Sequence, residues 1–323
     1  MGTFARTVLM VACLLLAAGP VAAEDDAKYP TRPIHIVVGF AAGGGNDIIA
    51  RIYAQKLSEN LGQPVIVENK PGAGAIVGTE YVAKSAPDGY TLLVGSSGMA
   101  INQSIYTKLP YDSERDFVAI SELVTFPLIL IVSASSPIKS VADLVAYAKA
   151  NPDKANYASS SASFQLVSEL FKQKTGATME AIPYKSANEM VLAVISGQVV
   201  TAFADAGPVL PQVKAGTVRA LAVAAPRRSD DFPDVPALKE LGADVDGTLW
   251  TAVFAPKKTP PEIARKLERE FIRISRMPDV VARLKALGID VVGNSTDEFT
   301  RILSADIARW GDVARSANIK IEP

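Results

Sequence analysis

The 323-residue chain contains a single cysteine and a single histidine, and each scarcity closes off chemistry. The cysteine, Cys13, falls inside an apolar run from Val8 to Ala18 that follows Arg6 and precedes the small-residue site Val21-Ala22-Ala23. That arrangement reads as a secretory signal peptide over residues 1–23, cleaved after Ala23 and too short to span a membrane. The exported chain then has no thiol, which excludes a disulfide framework and thiol catalysis and suits a bacterial periplasm. The histidine, His35, alternates with Ile34 and Ile36 in a strand-like run and reads as structural. A Ser-His-Asp triad would have to use it at the start of a core strand, and Gly95-Ser96-Ser97-Gly98 is not G-x-S-x-G. There is no HExxH, no Cys/His cluster and no carboxylate motif with metal spacing, so the expectation is no enzyme, no metal and no cofactor.

Excess charge is missing too. Lys and Arg number 33 against 34 Asp and Glu, and removing Arg6 with the leader takes the net charge from −1 to −2. Nothing here attracts a nucleic acid, and no later apolar run is long enough to cross a bilayer. With 49% hydrophobic and 21% charged residues the composition is that of an ordinary soluble protein. A mature length of about 300 residues exceeds one comfortable core and points to two domains.

What the chain does have is concentrated between Ile34 and Ile48. A β-branched run (Ile34, Ile36, Val37, Val38) breaks at Gly39-Phe40-Ala41-Ala42-Gly43-Gly44-Gly45, and a helical pattern starts at Asn46-Asp47. A strand that enters a glycine loop and leaves into a helix aims free backbone N–H groups, backed by the helix dipole, at one point. Such a point attracts an anion, although a loop of this kind can also merely turn the chain. At Gly44 a side chain is expected to crowd the anion and to strain a backbone at positive φ. The Walker pattern needs Gly-Lys-Ser/Thr, and the dinucleotide fingerprint needs G-x-G-x-x-G; neither is present. A small carboxylate on backbone amides fits better than a phosphate, with Asp47 as helix cap or loop brace.

Downstream, strand-like and helix-like segments alternate, the pattern of a mainly parallel α/β sheet covered on both faces. Helices are expected at about Asp47–Asn60, Ala75–Ser85, Phe164–Lys174, Ala187–Ser196 and Val209–Ala215. Strands are expected at Val65–Val67, Tyr90–Val94, Leu128–Val132, Asn156–Ala158, Met179–Ile182, Val199–Phe203, Arg219–Val223 and Leu249–Phe254. Thr259-Pro260-Pro261-Glu262 combines a capping box with proline at N1, and Ser295 to Glu298 caps a last helix. The polar loops Gly43–Asp47, Ser96–Ser97, Ser159–Ser163 and the residue Asp205 all follow strands, at the edge where open α/β sheets bind ligands.

The segments GFAAGGGNDIIAR, VIVENKPGAGAIVGTE, SAPDGYTLLVGSSG, KLPYDSERDF, IPYKSANEMVLAVISGQV and VKAGTVRALAV, met in that order, resemble the solute-binding receptors of tripartite tricarboxylate transporters, the Bug family. The resemblance runs from about Pro30 to Ile319. It implies a two-domain, hinged periplasmic binding protein of the type II-like, Venus-flytrap kind whose chain crosses between domains twice, near Phe126–Pro127 and Leu249–Trp250. The first domain is then 29–126 plus 250–323 and the second 127–249. It also implies a small organic anion as ligand, transporter subunits as membrane partner, and a monomer. The glycine loop (Phe40, Ala41, Gly44, Asp47) is expected to grip a carboxylate, with Ser96 and Ser97 in a second contacting loop. Ser160, Ser161, Ser163, Gln165 and Asp205 come from the second domain. Gly39 and Ala42 stand where the family commonly has proline, and the Ser159–Ser163 loop is shorter by a residue or two. A sensory receptor presenting the same closed surface is the alternative that the sequence leaves open.

Overall fold

The computed structural model describes residues 28–320; the leader read at 1–23 lies outside them. In chain order the first elements are β1 (Ile34–Val38), α1 (Gly45–Leu61), β2 (Val65–Asn69), α2 (Ile76–Ala83), β3 (Thr91–Ser96), α3 (Gly98–Ile105) and β4 (Phe117–Phe126). Then come β5 (Leu128–Ser133), α4 (Val141–Ala150), β6 (Asn156–Ser159), α5 (Ala162–Thr175), β7 (Glu180–Pro183) and α6 (Ala187–Ile195). They are followed by β8 (Thr201–Asp205), α7 (Ala206–Lys214) and β9 (Val218–Ala224). The chain ends with β10 (Leu249–Pro256), α8 (Pro261–Ser275), α9 (Pro278–Lys285), β11 (Asp290–Val291) and α10 (Thr296–Ser316).

The strands form two sheets, ordered β11-β4-β10-β3-β1-β2 and β7-β6-β8-β5-β9. The fold is α/β with two units, but the sheets are mixed rather than mainly parallel. β1 runs parallel to β2 and β3, whereas β10 is antiparallel to both β3 and β4. In the second sheet β6 is parallel to β7 and β8, and β5 is antiparallel to β8 and β9. The reason is the path of the chain. It leaves the first sheet along β4 and re-enters along β10, and two neighbouring strands that carry opposite traffic must run antiparallel. Phe126 and Leu249 stand opposite each other at that end.

Local chemistry explains the element ends. α1 closes at Gly62, whose φ of 66° is the left-handed cap geometry that glycine takes without Cβ strain. Ser140 Oγ accepts from Asp143 N at 3.1 Å and Ser295 Oγ from Glu298 N at 3.2 Å, as expected of N-caps. The capping box read at Thr259 is not formed. Pro260 holds the N-cap position of α8, and the Thr259 hydroxyl is buried with no partner among the described residues. β1 and α2 touch through glycines: a Cβ on Gly78 would sit 2.9 Å from Gly39 Cα and 3.0 Å from the Lys70 carbonyl oxygen.

One apolar cluster lies between α1, α8 and the first sheet, built on Ile36, Val38, Ile52, Leu267 and Phe271. A second is continuous across both units, joining Trp310 and Val313 of α10 to Val167 and Phe171 of α5. Gln173 Nε2 donates to Ser316 Oγ at 2.8 Å on this side, so α5 and α10 pin the two units together away from the first cluster.

Glu122 is buried on β4. Its backbone N–H donates to Asn294 Oδ1 at 2.9 Å, and Asn294 Nδ2 donates to its carboxylate at 2.8 Å. Burial, with the charges of Asp306 and Glu298 adding to it, raises the Glu122 pKa from 4.5 to about 7. A carboxyl raised in the native state favours folding while protonated, so its contribution is complete below pH 4.5 and fades as pH rises through 7. Glu122→Gln keeps an acceptor for Asn294 without the charge. It is expected to raise Tm by roughly 2–6 °C above pH 8 and to change it little near pH 4.5. An equal shift at both pH values in thermal melts rules this account out.

Candidate functional site

A cavity of about 360 Å³ lies between the two sheets. Four helices begin at its wall, each directly after a strand: α1 at Gly45 and Asn46, α3 behind Ser96 and Ser97, α5 at Ser161 and Ser163, and α7 at Asp205 to Gly207. The first turn of a helix has N–H groups with no partner inside the helix and a partial positive charge of about half a unit. Here the N–H groups of Gly45, Asn46, Ala162 and Ser163 make no hydrogen bond among the described residues. No Lys, Arg or His lines the cavity. Its positive potential therefore comes from backbone, which is the arrangement that holds an anion without a basic side chain.

The remaining walls are apolar: Ile48, Ile49, Phe126, Phe164, Leu249 and the turn Leu287-Gly288-Ile289. That turn belongs to the C-terminal part of the first unit, and it abuts α7. A Cβ on Gly288 would lie 3.1 Å from Ala206 Cβ and 3.6 Å from Gly207 N.

The polar groups are held by neighbours. Ser97 Oγ accepts from Trp250 N at 2.7 Å, and Ser97 N donates to the Trp250 carbonyl at 3.0 Å, which ties the β3–α3 turn to β10. Thr251 Oγ1 donates to Asn46 Oδ1 at 2.6 Å and leaves the Asn46 amide nitrogen as a donor. Trp250 Nε1 donates to Asp306 Oδ2 at 2.8 Å, and Arg309 Nη2 donates to the other oxygen at 2.7 Å. The indole is buried against Phe254 and Phe299 with its N–H already engaged. Burial raises the Asp306 pKa, opposed by Arg309 and Trp250.

Of the expected residues, Ser96, Ser97, Ser161, Ser163 and Asp205 line the cavity. The others do not. Phe40 packs against the α1 core, and its carbonyl accepts from Asn69 Nδ2 at 3.0 Å. Ala41 and Gly44 lie on the exposed loop, and the residue with positive φ is Gly43 (81°), whereas Gly44 sits at −77°. Ser160 and Gln165 fall outside the lining; α5 starts at Ala162, two residues earlier than expected, so that Ser161 and Ser163 form its N-terminal end at the cavity. Asp47 is a buried brace. Gly43 N (2.8 Å) and Arg51 Nε (2.9 Å) donate to Oδ2, and Asn69 Nδ2 donates to Oδ1 at 2.9 Å. The Arg51 hydrogen bond leads the causes that hold its pKa down at about 2.

Asn46, Thr251 and the 287–289 turn were not anticipated. Asn46 carries a local signal, as the first side chain after the glycine run; the turn has none, since only the fold brings it there. Asp205 ends β8 and occupies the N-cap position of α7 without making a side-chain cap bond. Its carboxylate has no hydrogen-bond or ion-pair partner among the described residues, and burial pushes its pKa up to about 6.

Asp47→Ala is expected to cost about 1–3 kcal/mol, since it strands the Asn69 amide and the Gly43 N–H. Urea unfolding measures this. Unchanged stability with lost ligand affinity would instead make Asp47 a ligand contact.

A family model described as "Tripartite tricarboxylate transporter family receptor" matches residues 49–319. The protein BugT of Bordetella pertussis is 35% identical over 322 residues, 98% of this chain and 99% of that protein. Among solved structures, Rpa4515 of R. palustris with adipate has a TM-score of 0.80 at 33% identity, covering 91% of this chain and 100% of that one. MatC of Rhodopseudomonas palustris with bound malate has a TM-score of 0.75 at 30% identity, covering 88% and 99%.

Proposed function

The chain belongs to the tripartite tricarboxylate transporter receptor family, and on that premise we propose that it captures a small organic carboxylate in the inter-sheet cavity and delivers it to a membrane transporter of the tripartite type. The family consists of periplasmic solute-binding receptors rather than enzymes. In this reading the leader is cleaved after Ala23 and the mature protein works in the periplasm as a monomer, without turnover. The lobes are 29–126 plus 250–323 and 127–249, hinged where the chain passes between the sheets.

The observation that carries the reading is the cavity itself, walled by the first turns of four helices and free of basic side chains. The first-lobe wall, with Gly45, Asn46, Ser96 and Ser97, receives the carboxylate. Phe40, Ala41, Gly44 and Asp47 hold that wall's loop in shape. Ser161, Ser163 and Asp205 meet the ligand from the second lobe when the cleft shuts. Contacts to both lobes stabilise the closed form by the ligand's differential affinity, and the closed form is what a membrane partner reads. The adipate and malate in the related structures support a carboxylate of a few carbons.

Gly45→Pro tests the capture directly. Position N1 tolerates proline, whose missing N–H is one of the unpaired helix donors, and Gly44 already has the extended backbone that a following proline requires. The variant is expected to fold with unchanged or higher Tm and to bind carboxylates about 10–100-fold more weakly, the worth of one hydrogen bond to a charged group. Ligands for the comparison come from a thermal-shift screen of small carboxylates, since binding to the native state raises Tm by mass action. Full affinity in a folded Gly45→Pro protein removes the α1 terminus from the site. Consumption of the ligand on incubation ends the binding-only reading.

A further inference from the structure

The cavity has donors on one wall and an acceptor on the other. The first-lobe side offers the N–H groups of Gly45 and Asn46 and the Asn46 amide nitrogen. The far side offers the Asp205 carboxylate at the end of β8. The backbone that carries it is fixed, because β8 is paired with β5 up to the Leu128–Asp205 position itself. Two structural uses are absent. It caps no N–H of α7, and it pairs with no cation among the described residues. The cation that could satisfy it is not in the cavity wall, and the indole N–H of Trp250 is already given to Asp306.

We propose that the ligand is a singly charged carboxylate with an N–H or O–H donor at its remote end, and that Asp205 receives that donor. This deepens the capture reading above and rests on it. A desolvated carboxylate without a partner is costly, and a ligand donor relieves that cost. A second ligand carboxylate would do the reverse, since two like charges at contact distance in a partly dry cavity repel and one of them must take up a proton. The termini of α1 and α3 favour one anionic charge at the first-lobe wall; on the far wall Asp205 already supplies the countercharge to α7. Its raised pKa agrees with a carboxylate that lacks a partner until the ligand arrives. Ser161 and Ser163 stand on the same wall and can orient a polar end group without charge. This chain therefore departs from relatives whose structures hold the dicarboxylates adipate and malate.

Matched ligands of one length test it. In the four-carbon series these are succinate, succinamate and 4-aminobutanoate; in the six-carbon series, adipate, adipamate and 6-aminohexanoate. Calorimetry at pH 8 with the wild-type protein is expected to show the amide or the ammonium bound at least tenfold more tightly than the dicarboxylate of the same length. The two donor arms separate a cationic from a neutral end group. Asp205→Asn, which supplies an N–H donor in the same place, is expected to invert the order by strengthening the dicarboxylate and weakening the ammonium. Dicarboxylate preference in the wild-type protein overturns the proposal and leaves carboxylate capture standing, as does a ranking that Asp205→Asn leaves unchanged. If no compound of either series binds, nor butanoate or hexanoate, carboxylate capture falls and this proposal falls with it.

Discussion

The pairing of β4 with β10 is the constraint on which the rest of the molecule depends. All eight residues of β10 are buried, and they pair with β4 from Leu249 opposite Phe126 to Pro256 opposite Phe117, with register shifts after Thr251 and after Val253. Because these two strands also carry the chain out of and back into the first sheet, their antiparallel pairing sets both passages side by side. The same pairing delivers the cavity wall. Phe126 and Leu249 meet at its edge, Trp250 locks the β3–α3 turn through Ser97, and Thr251 fixes Asn46 at the head of α1. Loss of register by one residue would turn every one of these side chains to the opposite face.

The anion-holding potential is a product of topology. α1 and α5 present unpaired first-turn N–H groups at the cavity, and the dipoles of all four βα junctions add partial positive charge there without a basic residue. Each junction needs support from outside the cavity, and the supports differ. Asp47 ties the glycine loop to Arg51 and Asn69, Trp250 ties the second junction, and Ser159 Oγ donates to the Ser161 carbonyl at 3.0 Å in the third. The fourth, at Asp205, has no such tie.

Most of the fold could be read from the chain because its strands are short β-branched runs bounded by glycine or serine loops, signals that act within a few residues. β4 escaped because Ser121 and Glu122 interrupt its apolar pattern, and the group that satisfies them, Asn294, lies over 170 positions away. α3 escaped because it is short, starts with glycine and places Asn102 inside; that amide finds partners in Gly74 and Tyr111 across the fold. The direction of β10 was invisible for a related reason: alternation marks a strand but does not say which way its neighbour runs. Within the site, the serine loops and Asp205 were legible as polar residues at strand ends. Phe40, Ala41 and Gly44 lie just ahead of the cavity-lining residues on the same loop, since the helix starts at Gly45 and its first turn faces the cavity. The Leu287–Ile289 turn could not be read at all.

The division of the cavity into a backbone half and a side-chain half bears on how such a protein diversifies. Main-chain N–H groups survive every substitution except proline, so the half proposed to receive the carboxylate is insulated from drift and is inherited by any duplicate that keeps its βα junctions. Asp205, Ser161 and Ser163 enjoy no such insulation, and none of them makes a contact on which the packing of its helix depends. On the proposed reading, a single codon change there redirects the receptor to a different acid while the backbone donors stay intact. New specificities then cost little stability, because the positions that set them carry none of the packing of their helices.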